Sequence, residues 1–212
     1  MSDEEAAQAL SRRERERLTH RAEILDAAEQ VFARNGYHGA TVEEIAQEAE
    51  FAVGTLYNFF RGKDDLYQEV VAKLAEEFMG MFRQRVLDQP DPVEAIGALI
   101  EVRMTIFEKH RGFARVFFES MLGSHIDLAQ ALPERCASMY EEAIAALTAI
   151  FQRGVQNGSF ISVDPLYLTL CLHGVMNAFT AYWARQEPVE PLEARVGKLK
   201  EVFLNRIVCR ES

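Results

Sequence analysis

No proline precedes Pro90, and the 212 residues hold only six. Few segments alternate apolar and polar residues, so strands have little support and helices run almost without a breaker. Cysteine is scarce too. Cys136, Cys171 and Cys209 stand far apart, with no CxxC pair. That excludes a disulfide framework and fits free thiols in a reducing cytoplasm. Metal binding lacks a ligand set: His20, His38, His110, His125 and His173 are scattered, and Cys171 with His173, two apart, point to different helix faces. No nucleophile is paired with a base, and there is no HExxH or clustered acid motif. The chain therefore does not read as an enzyme, and neither a catalytic residue nor a cofactor is expected. No apolar run approaches the ~20 residues of a membrane span. Met1 to Arg21 is charged and lacks the apolar core of a secretion signal, so a cytoplasmic protein with no membrane partner is expected.

The composition that is present, 49% hydrophobic and 26% charged, is that of a globular chain with a real core. The net charge is -10. That does not exclude a nucleic-acid partner, because binding depends on charge at the contact surface rather than on the sum. Locally the balance reverses: Ser11 to Arg21 sets Arg12, Arg13, Arg15, Arg17 and Arg21 against Glu14 and Glu16.

Caps and breakers divide the chain into helices. The first runs from about 12 to 35, with Leu18, Ile24, Leu25, Ala28 and Phe32 as its apolar stripe and Asn35-Gly36 as its stop. Thr41 and Glu44 form a capping box that opens a short helix over 42–49. A tight turn and a third helix over 53–59 follow, and Gly62 breaks it. Lys63-Asp64-Asp65 opens a long fourth helix to about 88, with acids where the helix dipole favours them. Further helices are expected over 92–109, 112–122, 133–156, 165–186 and 192–208. Asp164-Pro165 is a clean start and Asn157-Gly158 a clean stop.

Two short helices joined by a tight turn and supported by a third make a helix-turn-helix. Its reading helix fits the DNA major groove if its first residues are small, and Ala52, Val53, Gly54 and Thr55 are. Leu56 and Phe60 anchor it from behind. By spacing alone a small helical bundle with a glycine-broken joint fits as well. The residues themselves tip the balance. Phe32-Ala-Arg-Asn-Gly-Tyr-His-Gly-Ala-Thr-Val-Glu-Glu-Ile-Ala, followed by Gly54-Thr-Leu-Tyr-Asn-Phe-Phe-Arg-Gly-Lys63-Asp-Asp-Leu66, resembles the TetR (tetracycline-repressor-like) family of bacterial transcriptional regulators. The resemblance is tight over about 18–67. Beyond it, residues 154–165 resemble the Gly-x-x-x-Gly-x-Phe…Asp-Pro joint before the family's eighth helix.

The resemblance implies an all-α fold of about nine helices: a helix-turn-helix domain over 1–66 and a larger effector-binding and dimerisation domain over 67–212. It implies a homodimer that binds double-stranded DNA at a roughly palindromic operator, as a repressor relieved by a small apolar effector. Thr41, Thr55, Tyr57 and Lys63 match phosphate-contacting positions. Ala52, Val53, Gly54 and Asn58 match positions that read base edges or pack on the groove floor. Each role has a plainer counterpart: Thr41 as a cap only, Tyr57 as core, Lys63 as a solvated charge, and the arginines of 12–17 as a solvated face pairing with Glu14 and Glu16. Two departures bear on function. Glu50 stands where the family has a turn glycine at positive φ, and Ala52 replaces the polar cap of the third helix. Few hydrogen-bonding groups remain, so discrimination is expected to lean on thymine methyls and DNA shape. The departures also leave open a helical binding module that has lost DNA recognition.

The eighth helix is apolar nearly all round, and the ninth carries an apolar stripe. A partner subunit is a natural cover, giving a two-fold four-helix interface through Leu168, Leu172, Val175, Phe179, Leu199 and Phe203. The middle is rich in Met and Phe, which suit either a plain core or an adaptable pocket. Met104, Phe107, Phe117, Met121, Tyr140, His173 and Asn177 are the pocket candidates, with Arg103 a weaker one.

Overall fold

The computed structural model describes residues 11–122, 134–186 and 190–209, without the side chains of 119–122 and 134–135. Among these residues the chain is helical, and the only β pairing is a single bridge between Phe160 and Val208. The helices are α1 (Arg12–Gly39), α2 (Val42–Glu48), α3 (Val53–Tyr57), α4 (Lys63–Phe82), α5 (Pro92–Lys109), α6 (Arg111–Leu122), α7 (Glu134–Gln156), α8 (Pro165–Ala184) and α9 (Leu192–Leu199). Contacts divide the chain into two compact units, Met1–Val70 and Val71–Ser212, with the division inside α4.

In the first unit local chemistry sets every helix end. Ser11 and Glu14 cap α1 with a reciprocal box. Gly36, at φ 71 and ψ 169, bends its last turn out of helical geometry, a conformation glycine adopts at little cost. Thr41 and Glu44 form the second box, on α2. Ile24, Leu25, Ala28, Val31 and Phe32 of α1 close over Ile45 and Ala46 of α2, Leu56, Phe60 and Leu66. Leu18, expected on the same stripe, is exposed. The turn between α2 and α3 keeps its left-handed residue: Glu50 sits at φ 59, the only non-glycine at positive φ among the described residues. The Glu50 N–H donates to Gln47 O and the Phe51 N–H to Ala46 O.

In the second unit α4 runs on through a π segment, Arg83–Leu87. The Asp91 carboxylate accepts from the N–H groups of Val93 and Glu94 to start α5, and Asp164 does the same for Leu166 in α8. Helix α9 continues through a second π segment, Lys200–Leu204, and a last turn, Asn205–Ile207. The core joins α4 (Met79, Phe82), α5 (Ile96, Ile100, Met104), α7 (Ile150, Phe151), α8 (Leu168, Leu172, Met176) and α9 with its continuation (Leu199, Phe203).

Helix α8 corrects the expected interface. Leu168, Leu172, Leu199 and Phe203 are buried inside the chain itself, and Val175 and Phe179 are half-buried against the same core. A helix apolar all round does not say which arc its own chain covers. Here α5, α6 and α7 cover the arc Leu168, Leu172, Met176, Thr180 and Ala184, spaced four apart. The arc left open is different: Tyr167 (63% exposed), Leu170 (48%) and Tyr182 (63%), with Cys171, Gly174 and Ala178 between them.

Candidate nucleic-acid interface and effector cavity

Helix α3 is presented outward. Leu56 and Phe60 pin it to the core, with the Phe60 N–H on Leu56 O at 2.8 Å. Ala52, Gly54, Tyr57 and Asn58 are exposed, Tyr57 by 55%, while Val53 and Thr55 are half-buried. No side chain caps α3, as Ala52 implies, so its first N–H groups stay open to an outside acceptor. A Cβ on Gly54 would meet nothing within 4 Å, so nothing inside the chain requires glycine there.

Two expected phosphate residues have work within the fold. The Thr41 hydroxyl accepts from Glu44 N at 3.2 Å and donates to Glu44 Oε2 at 3.0 Å. Donation from the Thr41 hydroxyl, and then from the Thr41 N–H at 3.0 Å, holds the Glu44 carboxyl below its ordinary value. The cap thus occupies the hydroxyl, and the first-turn N–H groups of Val42 and Glu43 are what α2 offers outward. Lys63 is not simply solvated. Its Nζ donates to Ala40 O at 3.0 Å and His38 O at 3.4 Å and lies 4.9 Å from the centre of the Tyr37 ring. It braces the turn that presents Thr41. Tyr37 in turn donates to Asp64, which, with burial, pushes its phenol up to about 12. Of the basic lead-in, Arg12 pairs with Glu16 at 2.9 Å and Arg17 lies 5.8 Å over Phe59, so those two side chains have partners on the protein.

The second unit holds an apolar cavity of about 280 Å³ lined by α4 to α8. Four expected residues line it: Phe107, Phe117, Tyr140 and His173. The rings of Tyr140 and His173 meet edge to face at 5.4 Å. Met104 does not line it. It is fully buried on the core side of α5, while its neighbour Arg103 takes the cavity side. Asn177 stands behind the wall and accepts a hydrogen bond from Arg103 Nη2. The side chain of Met121 lies outside the described residues. In the wall, His110 Nε2 lies 3.0 Å from Glu77 Oε2, and Lys109 reaches the same carboxylate at 2.7 Å. Burial pushes Glu77 up, but these two partners outweigh it and hold the carboxyl below its ordinary value.

Residues 24–70 match the family described as bacterial regulatory proteins, tetR family. That segment is a TetR-family DNA-binding domain. The fatty acid metabolism regulator protein of Bacillus subtilis (strain 168) is 25% identical to it over 190 residues, 87% of this chain and 94% of that one. The HTH-type transcriptional repressor KstR2 of Mycolicibacterium smegmatis is 28% identical over 152 residues, 70% of this chain and 73% of that one. Among solved structures, the regulator FadR from Bacillus subtilis in complex with stearoyl-CoA shares the fold at a TM-score of 0.73. It is 22% identical, over 86% of this chain and 97% of that chain. FadR from Bacillus halodurans also aligns at 0.73, with 23% identity over 86% and 93%. The chain is accordingly a DNA-binding transcriptional regulator with a TetR-family reading domain. No helix among the described residues is long and apolar enough to cross a membrane.

Sequence reasoning missed the contribution of α4 to this regulator's cavity. Leu74, Phe78 and Phe82 line it, spaced four apart on one helix face, a signal that was available. His110 and Thr180, also at the wall, carried no such signal.

Proposed function

We propose that this regulator acts as a homodimer on a roughly palindromic operator, and that an apolar effector in the α4–α8 cavity relieves its repression. The observation that carries the effector half is the cavity itself, walled mainly by Phe, Leu, Ile and Ala. The DNA half draws support from α3. Tyr57 and Asn58 stand outward, and Gly54 is a glycine that nothing inside the chain requires, as close approach from outside would. Thr55, Tyr57 and the open N–H groups of α2 are the phosphate contacts, with Ala52, Val53, Gly54 and Asn58 at the groove floor. Lys63 braces the turn while keeping a third donor. For the dimer, the exposed arc of Tyr167, Leu170, Cys171, Gly174, Ala178 and Tyr182 replaces Leu168, Leu172, Leu199 and Phe203, which the chain itself buries. It is apolar at helical spacing, as a self-complementary two-fold face requires.

Helix α4 gives Phe78 and Phe82 to the cavity and Lys63 to the brace at His38 and Ala40. An effector that binds better when α4 is displaced disfavours the reading geometry, by no more than its differential affinity for the two states. The alternative of a lost DNA reader rested on Glu50 and Ala52. Glu50 keeps the left-handed turn, which removes the first of those grounds. Selection of genomic fragments with purified protein tests the reading. An enriched inverted repeat supports it, and enrichment of no common site contradicts the DNA half. Direct titration with decanol, decanoate and decanoyl-coenzyme A tests the cavity, and binding of none of them contradicts the effector half.

A further inference from the structure

Arg103 breaks the charge pattern of this protein. The chain has 33 Asp and Glu against 23 Lys and Arg. Several of its arginines take a glutamate: Arg34 with Glu48, Arg83 with Glu142, Arg85 with Glu101 and Arg195 with Glu108. Among the described residues Arg103 has no carboxylate partner. Its Nη2 donates to the side-chain oxygen of Asn177, a neutral acceptor, and no Asp or Glu among them lines the cavity it faces. Burial pushes this guanidinium down to about 10, against a smaller opposing effect of Tyr140. It stays charged at neutral pH. A cation in a low-dielectric wall without an opposite charge is costly, and an anion brought to it is held strongly.

We propose that the effector is an amphipathic anion: an apolar chain lying among Phe78, Phe82, Phe107 and Phe117, ended by a carboxylate that Arg103 grips. The proposal rests on the effector reading of this cavity. A planar guanidinium offers parallel N–H donors that match a carboxylate's two oxygens, and Asn177 holds the fork in place by taking one donor on Nη2. A single negative charge fits better than a dianionic phosphate, because Arg103 is the only Arg or Lys among the described residues of the wall. The other basic groups there are two histidines: His110, with its Nε2 on Glu77, and His173, whose ring meets that of Tyr140. The volume, about 280 Å³, lies near the lower bound of ordinary ligand pockets, which suits a medium-length chain with a small head.

Calorimetric titration of the full chain with decanoate, decanol and decanoyl-coenzyme A tests the assignment. Decanoate should bind the native protein about tenfold or more tightly than decanol, as a charge-assisted pair requires. Arg103→Met should abolish that preference while decanol affinity holds, which also shows that the cavity is intact. Arg103→Lys keeps the charge without the fork and should retain a reduced preference, so the test survives if the methionine variant does not fold. Equal affinity for decanoate and decanol, or a preference that survives Arg103→Met, overturns the proposal. So does decanoyl-coenzyme A binding more tightly than decanoate with the same dependence on Arg103, since its thioester carbonyl is neutral. Binding of none of the three, decanol included, instead defeats the effector reading beneath it.

Discussion

Glu50 should be replaceable by glycine with a gain in stability. At φ 59 an L-residue crowds its Cβ against the following carbonyl, which costs roughly 1–2 kcal/mol relative to right-handed backbone. Glycine escapes that clash but loses more chain entropy on folding, about 0.5–1 kcal/mol. The difference leaves Glu50→Gly more stable by about 0.5–1 kcal/mol. In a domain of this size that raises Tm by about 1–4 °C. The Glu50 side chain is exposed and makes no hydrogen bond or ion pair among the described residues, so no contact is lost. Charge needs a control, because Glu43, Glu44 and Glu48 lie just upstream. Glu50→Ala removes the same charge and keeps the strained backbone. In ordinary helix positions alanine is more stable than glycine. Here the order should reverse, with glycine ahead by about 1 kcal/mol in denaturant unfolding. If alanine matches or exceeds glycine at this position, the left-handed turn is not what limits stability, and the reasoning fails.

Gly54→Ala should stabilise the fold slightly, by up to about 1 kcal/mol, because a Cβ there meets nothing and alanine favours helix; the same substitution should weaken DNA binding in a mobility-shift assay. Gly154→Ala should destabilise by about 1–3 kcal/mol or more in thermal unfolding, because its Cβ would lie 2.1 Å from the buried Phe160 ring. Acid should weaken the second unit. Glu77 is depressed by Lys109 and His110 against burial, and Glu101 chiefly by Lys200, with Arg85 adding to it. A carboxyl lowered in the folded state stabilises fully above its ordinary pKa, here 4.5, and loses that contribution as pH falls through the lower folded value. Melting temperature should therefore drop below about pH 4.5, and Glu77→Gln with Glu101→Gln should flatten the drop.

The helix ends were legible because capping is local chemistry. The box at Thr41 and the Asp-Pro start of α8 each involve residues within four positions, as do the box at Ser11 and the Asp91 cap of α5, which were equally local but were not read. The outward α3 was legible because Leu56 and Phe60 identify its buried side. Tertiary placement was not. Met104 and Arg103 are adjacent, and only the packing of α5 decides which one meets the cavity. Leu168 and Tyr167 are likewise neighbours, and hydrophobicity cannot tell the covered arc of α8 from the open one. Lys63 looked like a solvated or phosphate-bound charge. Its acceptors, Ala40 and His38, lie more than twenty residues away in sequence. The π continuation of α4 had no sequence signature that we can identify.

The central claim is that α3 meets DNA through its exposed face, and Tyr57 isolates it, being 55% exposed on a helix whose buried side is Leu56. The measurement is the affinity of Tyr57→Ala for a duplex enriched by the native protein, alongside its melting curve. The account predicts an unchanged melt and DNA affinity lower by about tenfold, as loss of one well-ordered polar contact implies. Native affinity in a protein that melts normally would contradict it.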